Sequence, residues 1–475
     1  MRAKIIMINR WFFLLLTLIV LVSSCSSSDE TNTDNDYCYI KSVALGTVKR
    51  KIEQFDREGN HIGTVNAFFA GNAYAMTVNQ RTGLIENTDS LPFGSQLSAV
   101  LATITFDGAV LSYLNANGEW IAYNAQDSLD LSGQLQLLLT SNDRTSTRKY
   151  SIKVNVHKQE GDSLFWKQCE SDVTLLADMA DMKAFVLNGK LMVLGKQSIA
   201  GVDKMVLAER SGVEVQGTWE EKALAGLLPT ADLQTLKQQG NKLYLSTSDG
   251  KILSSTDAEN WTQEGADYSS ALVLVEKTDK YFYAISDGKL RRSADANAWD
   301  EDKPNTETAF PDAEYLPDAG IRAITVVQAN GSRRIVMIGQ RAGSANTIVW
   351  NKTWNEGWKI SEEDSEWMFF LASPDNDKLC PRLNYLNLQP YDGKCVVFGG
   401  TSADGSGSHK ALDAIYVSQD YGVTWHQSPD LHLPVQLEGT NDCITSVVDK
   451  DNYIWIITNT QVWRGRLNRL GFAQQ

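Results

Sequence analysis

The sequence predicts an all-β protein, with an N-terminal immunoglobulin-like β-sandwich followed by a β-propeller of six or seven blades. Three observations support this prediction: an internal repeat, regularly spaced short strands, and turns that end in tryptophan. The repeat is the clearest of them, since residues 241–261 and 279–299 start thirty-eight residues apart and agree at nine of 21 positions. A period near forty in a chain of short β segments is typical of propeller blades.

Residues 1–24 are predicted to be an export signal and not part of the fold. Three basic residues precede an apolar run of twelve residues, which is too short for a bilayer core that needs roughly 20. The following string Leu21–Cys25 resembles the lipobox of bacterial lipoproteins. That resemblance implies lipidation at Cys25, a flexible acidic tether over residues 25–36, and a lipid-anchored protein of the outer membrane on its periplasmic or external side.

Composition argues against nucleic acid as a partner. The formal net charge is −14 for the whole chain, and it becomes −17 without residues 1–24, which carry three basic and no acidic residues. Nucleic-acid binding needs a basic stripe that displaces condensed counterions, whereas the basic residues here are scattered among more numerous acids. We therefore expect no nucleic-acid partner. The lipid anchor implies a membrane as one partner, and a glycan or a surface protein is the expected ligand.

The cysteines and histidines predict no metal and no cofactor. The five cysteines after Cys25 and the five histidines show none of the spacings that bind zinc. A Cys380–Cys395 disulfide is the only one that the sequence leaves open, and so few cysteines could not hold an exported fold together.

Residues 37–158 are predicted to form the sandwich. Short apolar segments alternate with turn signals, and residues 150–156 alternate apolar and polar side chains as a strand with one solvated face does. Several such strands without helical periodicity favour an immunoglobulin-like domain. Residues 140–158 are similar to the last two strands of such modules in bacterial surface proteins, which implies a spacer.

Residues 164–475 are predicted to form the propeller. These roughly 310 residues allow six or seven blades of about 40 to 50 residues, and six strand-like starts make six the preferred count. The C-terminal segment 462–472 is expected to share a blade with residues 164–169 and so to close the ring.

The recurring turn has a recognisable pattern. Residues 418–425 match at every specified position the S-x-D-x-G-x-T-W pattern of the Asp-box, or bacterial neuraminidase repeat. Residues 255–261 and 293–299 are shorter relatives, and residues 347–358 are a degraded fourth copy that retains Trp358. In such a turn Ser and Asp accept backbone hydrogen bonds, glycine supplies a positive φ, and the indole packs beneath. We therefore predict structural and not catalytic roles for Ser255, Asp257, Trp261, Ser293, Asp295, Trp299, Ser418, Asp420, Gly422 and Trp425.

The resemblance to Asp-box sialidases does not extend to their chemistry. Those enzymes use three arginines, one of them in an F/Y-R-I-P motif, with a Tyr/Glu pair. This chain has no Arg-Ile-Pro, and its pairs 291–292 and 333–334 place one arginine on each face of a strand. Four tryptophans could form a platform for sugar rings, but packing at blade edges explains them as well and is preferred: Trp350, Trp354, Trp358 and Trp367.

The arrangement as a whole resembles a family of uncharacterised two-domain Bacteroidota lipoproteins, whose activity is unassigned. Our first hypothesis is a cell-envelope binding protein that presents its propeller to an extracellular glycan or protein, with no catalytic residue identified. The alternatives are an extracellular glycan-acting hydrolase and a scaffold without a small ligand. An enzyme should show two carboxylates, or a carboxylate with Tyr and Arg, converging on one face of the axis. A binding protein should show exposed aromatic side chains there without that pair.

Overall fold

The computed structural model describes residues 36–55, 61–302, 315–342, 347–370 and 378–471. The predicted signal, Cys25 and nearly all of the predicted tether lie outside the described residues. Within these ranges the chain forms β-strands joined by turns and short 3-10 helices, and no helix there has the length and apolar character needed to cross a membrane. The chain divides into two compact units, the first within residues 36–158 and the second from residue 159 on.

The first unit contains twelve strands in three sheets. Its strands are β1 Tyr39–Leu45, β2 Thr47–Phe55, β3 His61–Ala70, β4 Met76–Val78, β5 Leu84–Asn87, β6 Ser95–Gln96, β7 Val100–Asp107, β8 Val110–Leu114, β9 Trp120–Ala122, β10 Ser128–Leu129, β11 Leu135–Thr140 and β12 Thr147–Lys153. The sheet orders are β1-β7-β10, β3-β2-β6 and β4-β5-β12-β11-β8-β9. Strand β12 runs parallel to β5 and antiparallel to β11.

One apolar core holds the first unit together. On β12, Tyr150 and Ile152 are buried, whereas Ser151 between them is only partly buried. This agrees with the alternation seen in the sequence. The same buried cluster includes Val43 of β1, Ala102 of β7 and Leu137 of β11. Two sheets therefore share a single interior, as sheets packed face to face do.

Within the described residues, the second unit contains six four-stranded sheets. Five of them consist of strands that follow one another in the chain: β14 Met179–Leu187, β15 Lys190–Ile199, β16 Val202–Arg210 and β17 Trp219–Lys222; β18 Lys237–Gln239, β19 Lys242–Ser246, β20 Ile252–Ser255 and β21 Thr262–Glu264; β22 Val273–Lys277, β23 Phe282–Ser286, β24 Lys289–Ser293 and β25 Asp300–Glu301; β26 Ala319–Val327, β27 Arg333–Gln340, β28 Ile348–Trp354 and β29 Trp367–Phe370; β30 Asn387–Tyr391, β31 Lys394–Phe398, β32 Tyr416–Ser418 and β33 His426–Gln427.

The sixth sheet joins the two ends of this unit. It has the order β13-β36-β35-β34, with β13 Leu164–Glu170, β34 Thr445–Val448, β35 Ile454–Ile457 and β36 Val462–Leu467. Leu164 faces Leu467 and Lys167 faces Arg464 in an antiparallel register. A Cβ added at Gly465 would lie 2.5 Å from the Trp166 ring, so glycine lets the indole lie flat on β36. The pairing expected between residues 164–169 and the C-terminal segment is therefore present.

Each sheet of the second unit packs against the next. Separate apolar clusters connect the β14 sheet to the β18 sheet, and this continues in order through the β22, β26, β30 and β34 sheets. A further cluster connects the β34 sheet back to the β14 sheet. The sheets thus form a closed ring, which is the architecture of a β-propeller.

Short 3-10 helices occur in both units. They lie at Gly71–Ala73 in the first unit and at Thr174–Leu176, Leu233–Thr235, Glu356–Trp358, Val435–Leu437 and Asn468–Gly471 in the second.

Candidate functional site

A cavity of about 400 Å³ lies among six strands, one from each sheet of the ring: β14, β18, β22, β26, β30 and β34. Its volume falls in the range of small-ligand sites. Each of the six strands contributes a polar side chain to the lining, so that the groups come together only because the ring closes. In strand order these side chains are Lys183, Lys237, Glu276, Arg322, Gln389 and Ser446.

The three basic members of this set have few protein partners. Lys237 donates from Nζ to the Ala323 carbonyl at 2.7 Å, and Arg322 donates from Nε to the Leu386 carbonyl at 2.8 Å. The Lys183 backbone pairs with Leu194 in the sheet, whereas its side-chain ammonium forms no hydrogen bond with any residue of the described ranges. In the same ranges no carboxylate oxygen lies within 4.0 Å of these three cations. Their charges are therefore not neutralised by direct ion pairs.

Burial in the cavity perturbs the protonation of these groups. It lowers the pKa of Lys183 to about 7, and the positive charges of Arg322 and Lys237 contribute in the same direction. Burial likewise lowers the pKa of Lys237 and of Arg322. Removing water disfavours any charged form, and for this reason burial raises the pKa of the Glu276 carboxyl.

The cavity wall carries an excess of positive charge. Of the ionisable residues in its lining, Arg333 and Asp279 form an ion pair of 2.8 Å and offset each other. What remains is Glu276 against four basic residues, namely Lys183, Lys237, Lys277 and Arg322. This local excess contrasts with a chain whose formal net charge is −14.

Neutral donors and acceptors complete the lining. Gln389 donates to the Ser446 carbonyl at 2.9 Å, and the Ser446 hydroxyl donates to Asn387 at 2.9 Å. The aromatic residues of the wall, Phe185 and Trp354, are both buried. The expectation of exposed aromatic side chains at a binding site on the axis is therefore not met.

Two carboxylates border the cavity through Gln234. The Gln234 side chain donates to Asp181 at 2.6 Å, and its backbone N–H donates to Asp232 at 3.0 Å. Burial raises the pKa of Asp232, and the neighbouring charge of Asp181 adds to the effect. The hydrogen bonds of both carboxylates hold the 3-10 helix Leu233–Thr235 in place, so each of them has a structural task.

The residues that the sequence assigned to Asp-boxes lie in turns and do not line the cavity. Ser418 Oγ donates to Asp420 at 2.8 Å and accepts from the Gly422 N–H at 2.7 Å. Asp420 accepts from the Thr424 N–H at 2.9 Å. Trp425 is 3% exposed and donates from its indole to the Gly422 carbonyl at 3.0 Å. In this turn the side chains replace missing backbone partners.

The turn that contains Ser255 and Asp257 is one residue tighter. Ser255 accepts from the Ala258 N–H at 2.9 Å, and the Trp261 indole donates to the Ala258 carbonyl at 2.8 Å. Although burial alone would raise the pKa of Asp257, hydrogen bonds led by those from Asn260 lower it to about 2. The positive φ of 67° falls on Ala258 and not on a glycine.

The turn that contains Ser293 and Asp295 follows the same plan. Ser293 accepts from the Ala296 N–H at 2.9 Å, and Asp295 accepts from the Asn297 N–H at 2.9 Å. Trp299 is only partly buried, and its ring lies 6.4 Å from that of Phe282. None of the predicted turn residues of the three boxes belongs to the cavity lining.

The degraded fourth copy does not place its tryptophan as Trp425 is placed. Trp358 is 62% exposed, because Asn355 starts a 3-10 turn by accepting from the Trp358 N–H at 3.2 Å. The other tryptophans of the proposed sugar platform, Trp350, Trp354 and Trp367, are buried. The platform is therefore not formed by these four residues.

The described cysteines carry free thiols, so the disulfide that the sequence left open is not formed. Cys380 and Cys395 are buried in one apolar cluster, and burial raises the pKa of the Cys395 thiol to about 12. Within the described part of the chain, no group of three or more His, Cys, Asp or Glu side chains is arranged to hold a metal ion.

Sequence reasoning missed the charged residues of the cavity. The signal that could have found them is a single charge inside an otherwise apolar strand, as in Glu276 after Leu274 and Val275, or Arg322 between Ile321 and Ala323. A charge at an interior strand position of a buried sheet needs a partner or a function.

Comparison with known families identifies the architecture. Residues 160–475 match the family model described as the DUF6242 beta propeller domain. Residues 43–154 match the DUF6242 N-terminal domain, which is described as a domain of unknown function. The chain belongs to the DUF6242 family. The expectation of an uncharacterised two-domain family with a propeller is thereby confirmed.

Solved structures give distant likenesses to the DUF6242 chain. An α-L-arabinanase of Penicillium chrysogenum complexed with arabinobiose is 12% identical, with a TM-score of 0.35 over 65% of this chain and 99% of its own. An endo-arabinase of Bacteroides thetaiotaomicron is 10% identical, with a TM-score of 0.33 over 62% of this chain and 96% of its own. YCF48 of Cyanidioschyzon merolae is 11% identical, with a TM-score of 0.31 over 63% of this chain and 98% of its own. No curated protein matches this chain in sequence.

Proposed function

We propose that this DUF6242 protein is a cell-envelope lipoprotein that binds an extracellular glycan in the cavity of its propeller. One observation carries the proposal: each of the six sheets contributes, from the strand that lines the cavity, a polar side chain to one space of about 400 Å³. Hydroxyl-rich ligands suit such a lining, because every sugar hydroxyl that leaves water needs a new hydrogen-bond partner. A space of this size admits a small part of a glycan chain.

The proposal includes the finer features of the architecture. The six sheets are taken as six blades, the first unit over residues 37–158 as an immunoglobulin-like spacer, and residues 164–475 as the propeller. The three Asp-box turns are structural in this scheme, because their side chains are occupied by hydrogen bonds inside the turn. Cys25 carries the lipid, and the protein acts at the outer membrane.

A glycan-array screen of the full-length protein tests the binding function. Saturable binding to one sugar class is expected, and Gln389→Ala should weaken it about tenfold because this removes a hydrogen-bonding group from the wall. Gln263→Ala is the matched control, since Gln263 is exposed on β21 and does not line the cavity. Absence of saturable binding to any glycan, or equal loss in both variants, would contradict the proposal.

The anchor is tested separately from the ligand. Wild-type protein expressed in a diderm bacterium should incorporate a radioactive or clickable fatty acid and sediment with the outer membrane. Cys25→Ala should abolish both the label and the membrane fraction. A labelled Cys25→Ala protein, or an unlabelled wild type, would contradict lipidation at this residue.

A second candidate, a glycan-acting hydrolase, is favoured by the pair of Asp181 and Asp232. Burial raises the pKa of Asp232, as a general acid requires. Release of reducing sugar from a glycan that the protein binds, lost in Asp232→Asn, would support hydrolysis. We rank binding first, because both carboxylates are engaged by Gln234.

A further inference from the structure

Positive charge in the cavity lacks a direct counterion. Lys183, Lys237 and Arg322 come from three different sheets, and no carboxylate oxygen of the described residues lies within 4.0 Å of any of them. Lys237 is 9% exposed, which means that its charge cannot be screened by bulk water. A buried cation that keeps its charge without a partner is costly to the fold.

The available hydrogen-bond donors of these residues point to a missing acceptor. Arg322 uses Nε and Nη1 on the carbonyl groups of Leu386 and Ile321, and its Nη2 forms no hydrogen bond within the described residues. The Lys183 ammonium likewise donates no hydrogen bond to any described residue. Carboxylate, sulfate and phosphate groups satisfy several donors of this kind at once.

Nearby carboxylates do not fill this role. Glu276 faces Lys237 and Lys183, and burial disfavours its own charged form. Asp181 and Asp232 interact with Arg322 over a longer range, but neither belongs to the cavity lining. An excess of positive charge therefore remains directed into the cavity.

We propose that the cavity binds an acidic sugar residue, with the carboxylate or sulfate of the sugar held by Lys183, Lys237 and Arg322. This inference rests on the proposed glycan-binding function and specifies its ligand class. The anion is held by the cationic side chains that β14, β18 and β26 contribute to the cavity, with Glu276 of β22 between the last two strands. The hydroxyl groups of the same sugar face Gln389 and Ser446 on β30 and β34.

The test is titration of the full-length protein by isothermal calorimetry with four groups of probes. These are uronic-acid trisaccharides, sulfated disaccharides from heparin, neutral trisaccharides, and inorganic sulfate or citrate. Trp354 lines the cavity, so tryptophan fluorescence gives a second readout. Acidic sugars are expected to bind at least tenfold more tightly than neutral sugars of equal length, and the uronate and sulfate probes distinguish the two sources of the anion.

Charge variants locate the site. Lys237→Met and Arg322→Met should each reduce affinity for the acidic probe at least tenfold. Lys204→Met is the matched control, because Lys204 is exposed on β16 and pairs with Glu221 at 2.7 Å. Thermal melting of every variant shows whether it is folded, and two separate cation variants keep the test valid if one of them fails to fold.

Each outcome decides between the inference and the function beneath it. Neutral sugars that bind as tightly as acidic ones, with Arg322→Met unaffected, overturn the acidic ligand and leave glycan binding intact. Sulfate or citrate that binds the wild type while no sugar binds overturns the glycan ligand and supports the anion site. Failure of all probes to bind the folded wild type overturns both.

Discussion

Buried or partly buried cationic side chains occur in two regions of the propeller, and they are paired differently in the two. Within the blades Arg210 and Lys352 are 0% exposed, and each meets a carboxylate, Glu170 at 2.6 Å and Asp302 at 3.1 Å. In the cavity the cations have no such partner within the described residues. Since an unpaired buried charge costs stability, the ion-paired cations serve the fold, and the cations of the cavity are the groups assigned above to the proposed ligand.

Every nitrogen of the buried Arg210 guanidinium donates a hydrogen bond. The guanidinium also donates to the carbonyl groups of Gly212, Glu214 and Val215, and lies 5.1 Å from the ring of Trp455. Because Glu170 belongs to the sheet that closes the ring, the pair joins the first sheet of the unit to the last. Such a fully bonded group contributes to a specific arrangement and offers nothing to a ligand.

The largest expected effect is therefore on the structural cation. Arg210→Met should lower the free energy of unfolding by about 3–5 kcal/mol, because it leaves the Glu170 carboxylate without its partner and empties several hydrogen bonds. Urea denaturation of wild type and variant measures this difference. A change below about 1 kcal/mol would show that the pair is dispensable and would remove the contrast between the two regions.

The cavity cation should behave in the opposite sense. Lys183→Met is expected to raise the free energy of unfolding at pH 7 by about 2 kcal/mol, because an apolar side chain replaces a desolvated cation that has no ion pair. The control Lys204→Met removes an exposed ion pair and should change stability by less than about 1 kcal/mol. A Lys183→Met protein less stable than wild type would mean that the ammonium already has a stabilising partner.

The pH dependence sharpens the same contrast. The pKa of Lys183 is about 7 in the folded chain and 10.5 for the free group, so between these values the unfolded chain binds more protons. Stability then rises with pH across this window. Lys183 interacts with five charged groups: Arg322, Lys237, Glu276, Asp181 and Asp232. The pKa of Lys237 is lowered as well, so its titration contributes to the pH dependence with the same sign.

Unfolding measured at pH 7, 8.5 and 10 checks this expectation. The advantage of Lys183→Met over wild type should be largest at pH 7 and should shrink steadily toward pH 10. An advantage that stays constant over this range would contradict a lowered pKa at Lys183.

The smallest effect is expected in the turns. Ser418→Ala removes a hydroxyl that accepts from the Gly422 N–H and donates to Asp420, and it should cost about 1 kcal/mol of stability. Binding of any ligand in the cavity should not change, since Ser418 does not line it. A Ser418→Ala protein with normal stability but impaired binding would contradict a purely structural turn.

The fold was predictable because its signals are local. A strand and turn that recur in two successive sheets, as residues 241–261 and 279–299 do, show the period of the repeat, and the alternation at 150–152 shows the buried face of β12. The degraded copy at residues 347–358 misled because its alignment did not reveal the 3-10 turn that Asn355 caps and in which Trp358 is exposed.

The candidate site was not predictable for the converse reason. Lys183, Lys237 and Arg322 lie more than 50 residues apart in the chain, and each of them alone resembles an ordinary surface charge. Their convergence depends on the order of the sheets around the axis. No spacing rule within a single repeat contains that information.

The shared sheet at the seam of the propeller also constrains how the chain reaches its native state. Gln168 of β13 meets Gln461, 293 residues further along the sequence, so β13 has no neighbour in its sheet until nearly the whole propeller has been synthesised. Folding that depends on such remote contacts is slow. A chain that emerges from a translocation pore amino end first would therefore complete this domain in a late step, with its first strand waiting for its last.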